Sequence, residues 1–128
     1  MPPRPALTQE RIVEAAVRVA DRGGLAQVSM RNVGKELGVE AMSRYHHLAG
    51  KAALLDGLAD WAFGRIEAPE PSDPWRQGMT RRAASARQTL AQHPWALGLL
   101  ESRRSPGPAL LAHHDAVLGS LRRNGFSV

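Results

Sequence analysis

Val28-Ser29-Met30-Arg31-Asn32-Val33-Gly34-Lys35-Glu36-Leu37-Gly38-Val39-Glu40-Ala41-Met42-Ser43-Arg44-Tyr45-His46-His47 is the stretch that decides the fold. It reads as two short helices around a tight turn. Ser29 suits a helix cap, because its hydroxyl can accept from a free backbone N–H of the first turn. The helix it opens runs from Ser29 or Met30 to Leu37. Gly38-Val39-Glu40 makes the turn, and a second short helix spans about Ala41 to His46. Two short helices joined by a three-residue turn with a Gly are the sequence form of a helix-turn-helix. In that motif the second helix fits the major groove and its first turn meets base edges. The preceding helix fixes register through phosphate contacts.

The flanks read as helices too. Thr8 caps a helix of roughly Thr8 to Arg22, whose Ile12, Ala16, Val19 and Ala20 follow helical spacing. Gly23-Gly24 ends it. A longer helix starts near Lys51 and ends near Glu67, with Leu54, Leu55, Leu58, Ala62 and Ile66 as its apolar side. Ala68-Pro69-Glu70-Pro71-Ser72-Asp73-Pro74 breaks the pattern, since three Pro in seven residues cannot continue a helix. Beyond it come helices of about Trp75 to Gln92, Pro94 to Arg104 and Pro108 to Asn124, with Pro94 and Pro108 suited to first-turn positions. The expected fold is all-α. Residues 1–67 are expected to form a helix-turn-helix domain and residues 68–128 a second helical unit.

Composition narrows the function classes. The 128 residues carry 17 basic and 12 acidic side chains, a formal net charge of +5. That excess makes nucleic acid the first anionic partner to consider. Most of it lies in residues 68–128, with eight basic groups against four acidic. The DNA-binding expectation therefore rests on local cations, Arg31, Lys35, Arg44 and Lys51, set against Glu36 and Glu40. The absence of Cys excludes disulfides, a thiolate nucleophile and Cys-ligated zinc. No apolar run is long enough for a membrane span, and a cytoplasmic setting fits. No catalytic set, phosphate loop or Gly-x-Ser-x-Gly motif occurs.

The stretch from Val28 to Asp56 resembles the DNA-binding domain of the tetracycline-repressor (TetR) family. The match rests on Ser29, Arg31, Leu37, Gly38, Val39, Tyr45, His47, Lys51, Leu54 and Leu55 at the family's spacing. Ala15-Ala16 and Gly24 fit as well, so the resemblance covers about residues 8–67. Trp75, His93 and Leu121-Arg122-Arg123-Asn124-Gly125-Phe126-Ser127 look similar to the regulatory half of the tetracycline-repressor branch, a looser match. The resemblance implies a homeodomain-like three-helix arrangement for residues 1–67 and part of a helical ligand-binding and dimerisation domain for residues 68–128.

The resemblance implies a DNA-binding site of Ser29, Arg31, Ala41, Met42, Ser43, Arg44, Tyr45, His47 and Lys51. Ser29 is a helix cap and a phosphate contact. Arg31 is the base-reading Arg, whose fork fits guanine O6 and N7; the alternative is an exposed helical Arg. Ala41 and Met42 carry no donor and could read only thymine methyls. Ser43 could reach a phosphate or a base. Tyr45 and His47 are implied phosphate contacts, with a core aromatic as the alternative for Tyr45. Lys51 opens a helix, where a cation and free N–H groups attract phosphate although the dipole disfavours Lys. Two positions depart from the family. Arg44 stands where the family is apolar: buried there it is costly unless paired, and the alternatives are that it reaches outward to a phosphate or lays its stem on apolar surface. Gly34 replaces an Ala, at about 1 kcal/mol of helix propensity.

For the second half the resemblance implies a small-molecule effector whose binding shifts two reading heads of a homodimer on a palindromic operator. Trp75, His93, Trp95, Leu97, Leu100 and His113 are effector-lining groups by residue type, with ordinary core packing as the alternative for each. Leu99-Leu100-Glu101 stands where the tetracycline–magnesium site needs a His, so neither tetracycline nor magnesium is carried over. Neighbouring His46-His47 and His113-His114 point to different sides of a helix, so no metal or other cofactor is expected. Family members continue with helices that pair two subunits. The chain is thus expected to be truncated before them, with an exposed apolar face on the last helix. The pairs Arg81-Arg82, Arg103-Arg104 and Arg122-Arg123 form a solvated face or face acidic partners in those absent helices. The reading is a repressor released by its effector; the alternative is a helical small-molecule-binding protein with an impaired reading head.

Overall fold

Thr8 opens the first helix by accepting from the Arg11 N–H at 3.1 Å. A Ser or Thr cap of this kind contributes about 1 kcal/mol. The computed structural model that shows this describes residues 7–40, 50–102 and 107–127. All regular structure among the described residues is helical: α1 (Gln9–Gly23), a 3-10 turn (Leu25–Gln27), α2 (Met30–Leu37), α3 (Gly50–Arg65), α4 (Trp75–Gln92), α5 (Ala96–Ser102) and α6 (Pro108–Arg123). The expected helix at Ala41 to His46 lies outside the described residues. No described helix is long and apolar enough to cross a membrane.

The chain divides into two compact units, Met1–Leu58 and Ala59–Val128, and α3 runs through the division as one helix. The core of the first unit is aliphatic. Ile12, Ala15 and Ala16 of α1, Val28, Val33 of α2 and Leu54 and Leu58 of α3 are all fully buried. The expected α1 stripe of Ile12, Ala16, Val19 and Ala20 is buried throughout. α2 ends through Gly38, which takes the left-handed conformation with φ 71°. The Val39 N–H then reaches back to the Gly34 carbonyl at 2.8 Å and satisfies a helix-end acceptor.

In the second unit Ala62 and Ile66 are buried, as are Ala96 and Leu99 of α5. Two boundaries differ from the sequence reading. α3 ends at Arg65 rather than near Glu67: the Ile66 N–H turns back to the Phe63 carbonyl at 3.2 Å, and the Glu67 N–H donates to Ser85 Oγ at 2.8 Å instead of continuing the helix. α5 begins at Ala96, so Pro94 is not a first-turn residue. It sits in the turn that the Ala96 N–H closes on the His93 carbonyl at 2.9 Å, a position its fixed φ also suits. Pro108 does open α6. Leu111 and Leu118, seven residues apart on α6, are exposed, and that spacing puts them on one stripe.

Candidate functional site

The first unit aims α2 from its cap. Ser29 Oγ accepts from the Asn32 N–H at 3.0 Å, and the Asn32 side chain donates to the Gln27 carbonyl at 2.7 Å. Both bonds fix the chain's entry into the helix. Ser29 is half-buried, while Arg31 and Lys35 are exposed. Four residues apart, these two cations share one face of α2. Lys51 is exposed in the first turn of α3, a turn with no acidic residue. A cation there adds to the partial positive charge of the helix start. Ala41, Met42, Ser43, Arg44, Tyr45 and His47 lie outside the described residues.

Glu36 does not offset the α2 cations as the sequence count suggested. Arg18 of α1 donates to it through Nε at 3.0 Å, and Arg22 through Nη1 at 3.2 Å, with Nη2 of Arg22 on the second oxygen. Hydrogen bonds from Arg22 and then Arg18 lower the Glu36 carboxyl to about 2, and the Glu36 contact raises Arg22. The acid is thus neutralised from α1, and Arg31 and Lys35 keep their field. Arg18 and Arg22 stand four apart, a spacing that could have flagged one α1 face. Nothing local names their partner.

The second unit brings two of the six expected effector residues, His93 and Trp95, together. His93 packs edge-on to Trp61 at 4.9 Å and lies 5.7 Å from Trp95, and the two Trp rings stack at 6.4 Å. Arg65 lies over the Trp61 ring at 4.5 Å. Beside this cluster a cavity of about 240 Å³ is lined by Arg65, Ser85, Gln88, Thr89, Gln92 and His93. Ser85, Gln88, Thr89 and Gln92 share one face of α4 by spacing, a polar stripe that apolar patterning does not detect. Trp61 and Arg65 also escaped the sequence reading, because helical spacing made them ordinary α3 residues. Of the six, His93 alone lines the cavity. The Trp75 ring meets Phe126 at 5.2 Å, and the Trp75 backbone N–H donates to Asn124 Oδ1 at 3.1 Å. Leu97 is exposed and Leu100 half-buried.

His113 is buried. Arg82 Nε donates to its Nε2 at 2.7 Å, so the ring is neutral with its proton on Nδ1. Arg81 pairs with Glu67 and Asp73. The acidic or polar partners of Arg81 and Arg82 thus lie within this chain, which corrects the expectation of partners in absent helices. Arg103 and Arg104 lie outside the described residues.

Residues 12–58 match the family of bacterial regulatory proteins named tetR, and residues 68–128 match the tetracyclin repressor-like C-terminal domain. The chain belongs to the TetR family. An HTH-type transcriptional regulator of Saccharopolyspora erythraea is 40% identical to this TetR-family chain over 124 residues, 96% of the chain and 52% of the relative. The HTH-type transcriptional repressor DrrR1 of Streptomyces coeruleorubidus is 40% identical over 134 residues, 98% of the chain and 47% of the relative. The chain thus spans about half the length of these curated relatives. The fold matches apo ActR of Streptomyces coelicolor with a TM-score of 0.87 at 28% identity, covering 98% of this chain and 61% of that one. ActR in complex with actinorhodin matches at 0.85 and 29% identity, covering 95% and 58%.

The TetR-family chain carries an acid-sensitive contact at His113. Burial pushes this imidazole below its ordinary value of 6.5, and the positive charges of Arg82 and His114 act in the same direction. The folded state therefore binds this proton less readily than the unfolded chain. The contribution is neutral above the ordinary value and becomes destabilising as pH falls below it. Glu36, held at about 2, stays ionised throughout that window. The thermal midpoint is expected to drop between pH 7.5 and 5, and His113→Gln should flatten the slope. An unchanged slope in the variant would refute the assignment.

Proposed function

We propose that this chain is the DNA-reading and effector-sensing part of a transcriptional repressor that a small molecule releases from its operator. Its functional division falls at the proline break, with residues 1–67 reading DNA and residues 68–128 taking the effector. The observation that carries the reading is the geometry of α2. A Ser29 cap and a left-handed Gly38 bound a short helix that presents Arg31 and Lys35 together, in a segment matched to the tetR family. Arg31 contacts a guanine edge, Ser29 and Lys51 hold phosphates, and Ala41 to His47 carry the rest of the readout. DrrR1 is a repressor by name, and ActR, 29% identical, binds actinorhodin. These support a repressor that answers to a small organic molecule; a cytoplasmic setting belongs to the same proposal. A palindromic operator bound by a homodimer completes the proposal.

A salt titration on duplex DNA from upstream of the chain's own gene tests it. Sequence-preferring binding that weakens steeply with salt is the expected result. Arg31→Ala should cost about 1–3 kcal/mol on the preferred sequence and relax preference at one position. Lys51→Ala should weaken all duplexes alike and lower the salt slope by about one. Weak binding, equal on random DNA, overturns the proposal and favours a small-molecule-binding protein without a working reading head.

A further inference from the structure

Glu36 sits where neither its helix nor DNA favours an acid. It lies in the last turn of α2, where a negative charge opposes the helix dipole. It also follows Lys35, on the helix that carries the exposed cations Arg31 and Lys35, where a carboxylate repels phosphate. The acid is nonetheless tightly held. Arg22 grips both carboxylate oxygens through Nη1 and Nη2, and Arg18 Nε donates to the first at 3.0 Å. Glu36 keeps only 18% of its side chain exposed, while the two guanidinium side chains stay half or more exposed. Lone surface ion pairs contribute little, but bidentate and networked ones are the exception.

α2 needs such a tie. Of its eight residues Val33 and Gly34 are the buried ones. Apolar burial is non-directional, so one buried apolar side chain fixes the distance of a helix better than its rotation. The bonds at the start of α2, Asn32 to Ser29 and Asn32 to Gln27, are local to the entering chain. Hydrogen bonds to a carboxylate are directional. Arg18 and Arg22, four residues apart, reach Glu36 from one face of α1.

We infer that the Arg18–Glu36–Arg22 cluster sets the rotation of α2 against α1, which makes Glu36 a positioning residue for base reading by Arg31, given the DNA-reading role proposed above. Arg31 and Glu36 share one short helix, so a turn of α2 about its axis carries Arg31 sideways. A helix with its side chains is about 5–6 Å in radius, so a rotation of about 10° moves a side-chain tip by about 1 Å. A shift of that size breaks a bidentate fork on a guanine edge.

Two variants change charge in opposite directions and should act alike. Glu36→Gln removes one negative charge; Arg18→Gln with Arg22→Gln removes two positive ones. Coulomb attraction alone makes the first bind every duplex more tightly and the second more weakly. A rotated α2 makes both lose preference for the upstream duplex over random duplex by about tenfold, the worth of one bidentate base contact. Both are compared with the parent at a temperature where circular dichroism shows them folded. Binding that rises for Glu36→Gln and falls for the double variant, with preference unchanged in each, overturns the inference. Residual dipolar couplings of the α2 amides against those of α1 give a second readout on the 128-residue chain without DNA. Both variants should require a rotated α2, and an unrotated helix in both also overturns the inference. A parent chain with no sequence preference counts against the DNA-reading role, and the couplings then decide whether the cluster orients α2.

Discussion

Ile12→Ala is expected to cost the first unit about 2–5 kcal/mol, the usual range for truncating a fully buried aliphatic side chain. Ile12 is 0% exposed, as are Val28, Val33 and Leu54 of the same unit. The unit spans only Met1–Leu58. A core of that size leaves little stability in reserve. The same change at Glu14, exposed on the opposite side of α1, should stay within about 0.5 kcal/mol. Urea unfolding followed by circular dichroism separates the two. A loss below about 1 kcal/mol at Ile12 would mean that the α1 stripe does not hold the unit together. Since Arg31 depends on where α2 sits, operator binding should fall with the folded fraction.

Gly57→Leu is expected to be nearly as damaging, for the opposite reason. A Cβ at Gly57 would lie 2.8 Å from Cγ2 of Val13, well inside contact distance. Val13 is buried on α1, and a β-branched side chain has one strongly preferred rotamer in a helix. It cannot swing aside, so the helices must shift. Overpacking of this kind costs about 1–3 kcal/mol. The gain of about 1 kcal/mol from removing a helical glycine does not offset it. Val13→Ala in the same chain should recover part of the loss, because it clears the colliding methyl. If Gly57→Leu alone is as stable as the parent, α1 and α3 do not approach closely there.

The helices were legible because their signals are local. Thr8 and Ser29 bond three residues on, and Gly38 closes α2 within its own turn. The three Pro between Ala68 and Trp75 exclude a helix by covalent geometry. Pro94 misled because its fixed φ suits a turn as well as a helix start, and the His93 carbonyl decided between them. Contacts between distant residues left no trace in spacing. Glu36 looks like a charge beside Lys35, yet its partners are on α1. Asp60 looks like a solvated helix residue, yet its acceptors serve a helix start 49 residues on. Residue type suggested Trp75 as a pocket wall; its ring contact with Phe126 and its backbone bond to Asn124 were not foreseen. Arg31 and Lys51 were found through family resemblance, and their exposure agrees with the role proposed for them.

All three Trp residues, 61, 75 and 95, fall within Ala59–Val128, and Met1–Leu58 has none. Excitation at the red edge of protein absorbance therefore lights only one half of the chain. Trp61 and Trp95, grouped with His93 beside the polar cavity, form an optical probe of what enters it. Small molecules can be screened by emission change with no operator in hand. DNA added to the same cuvette reports through these rings only if its binding is felt beyond the unit that reads it.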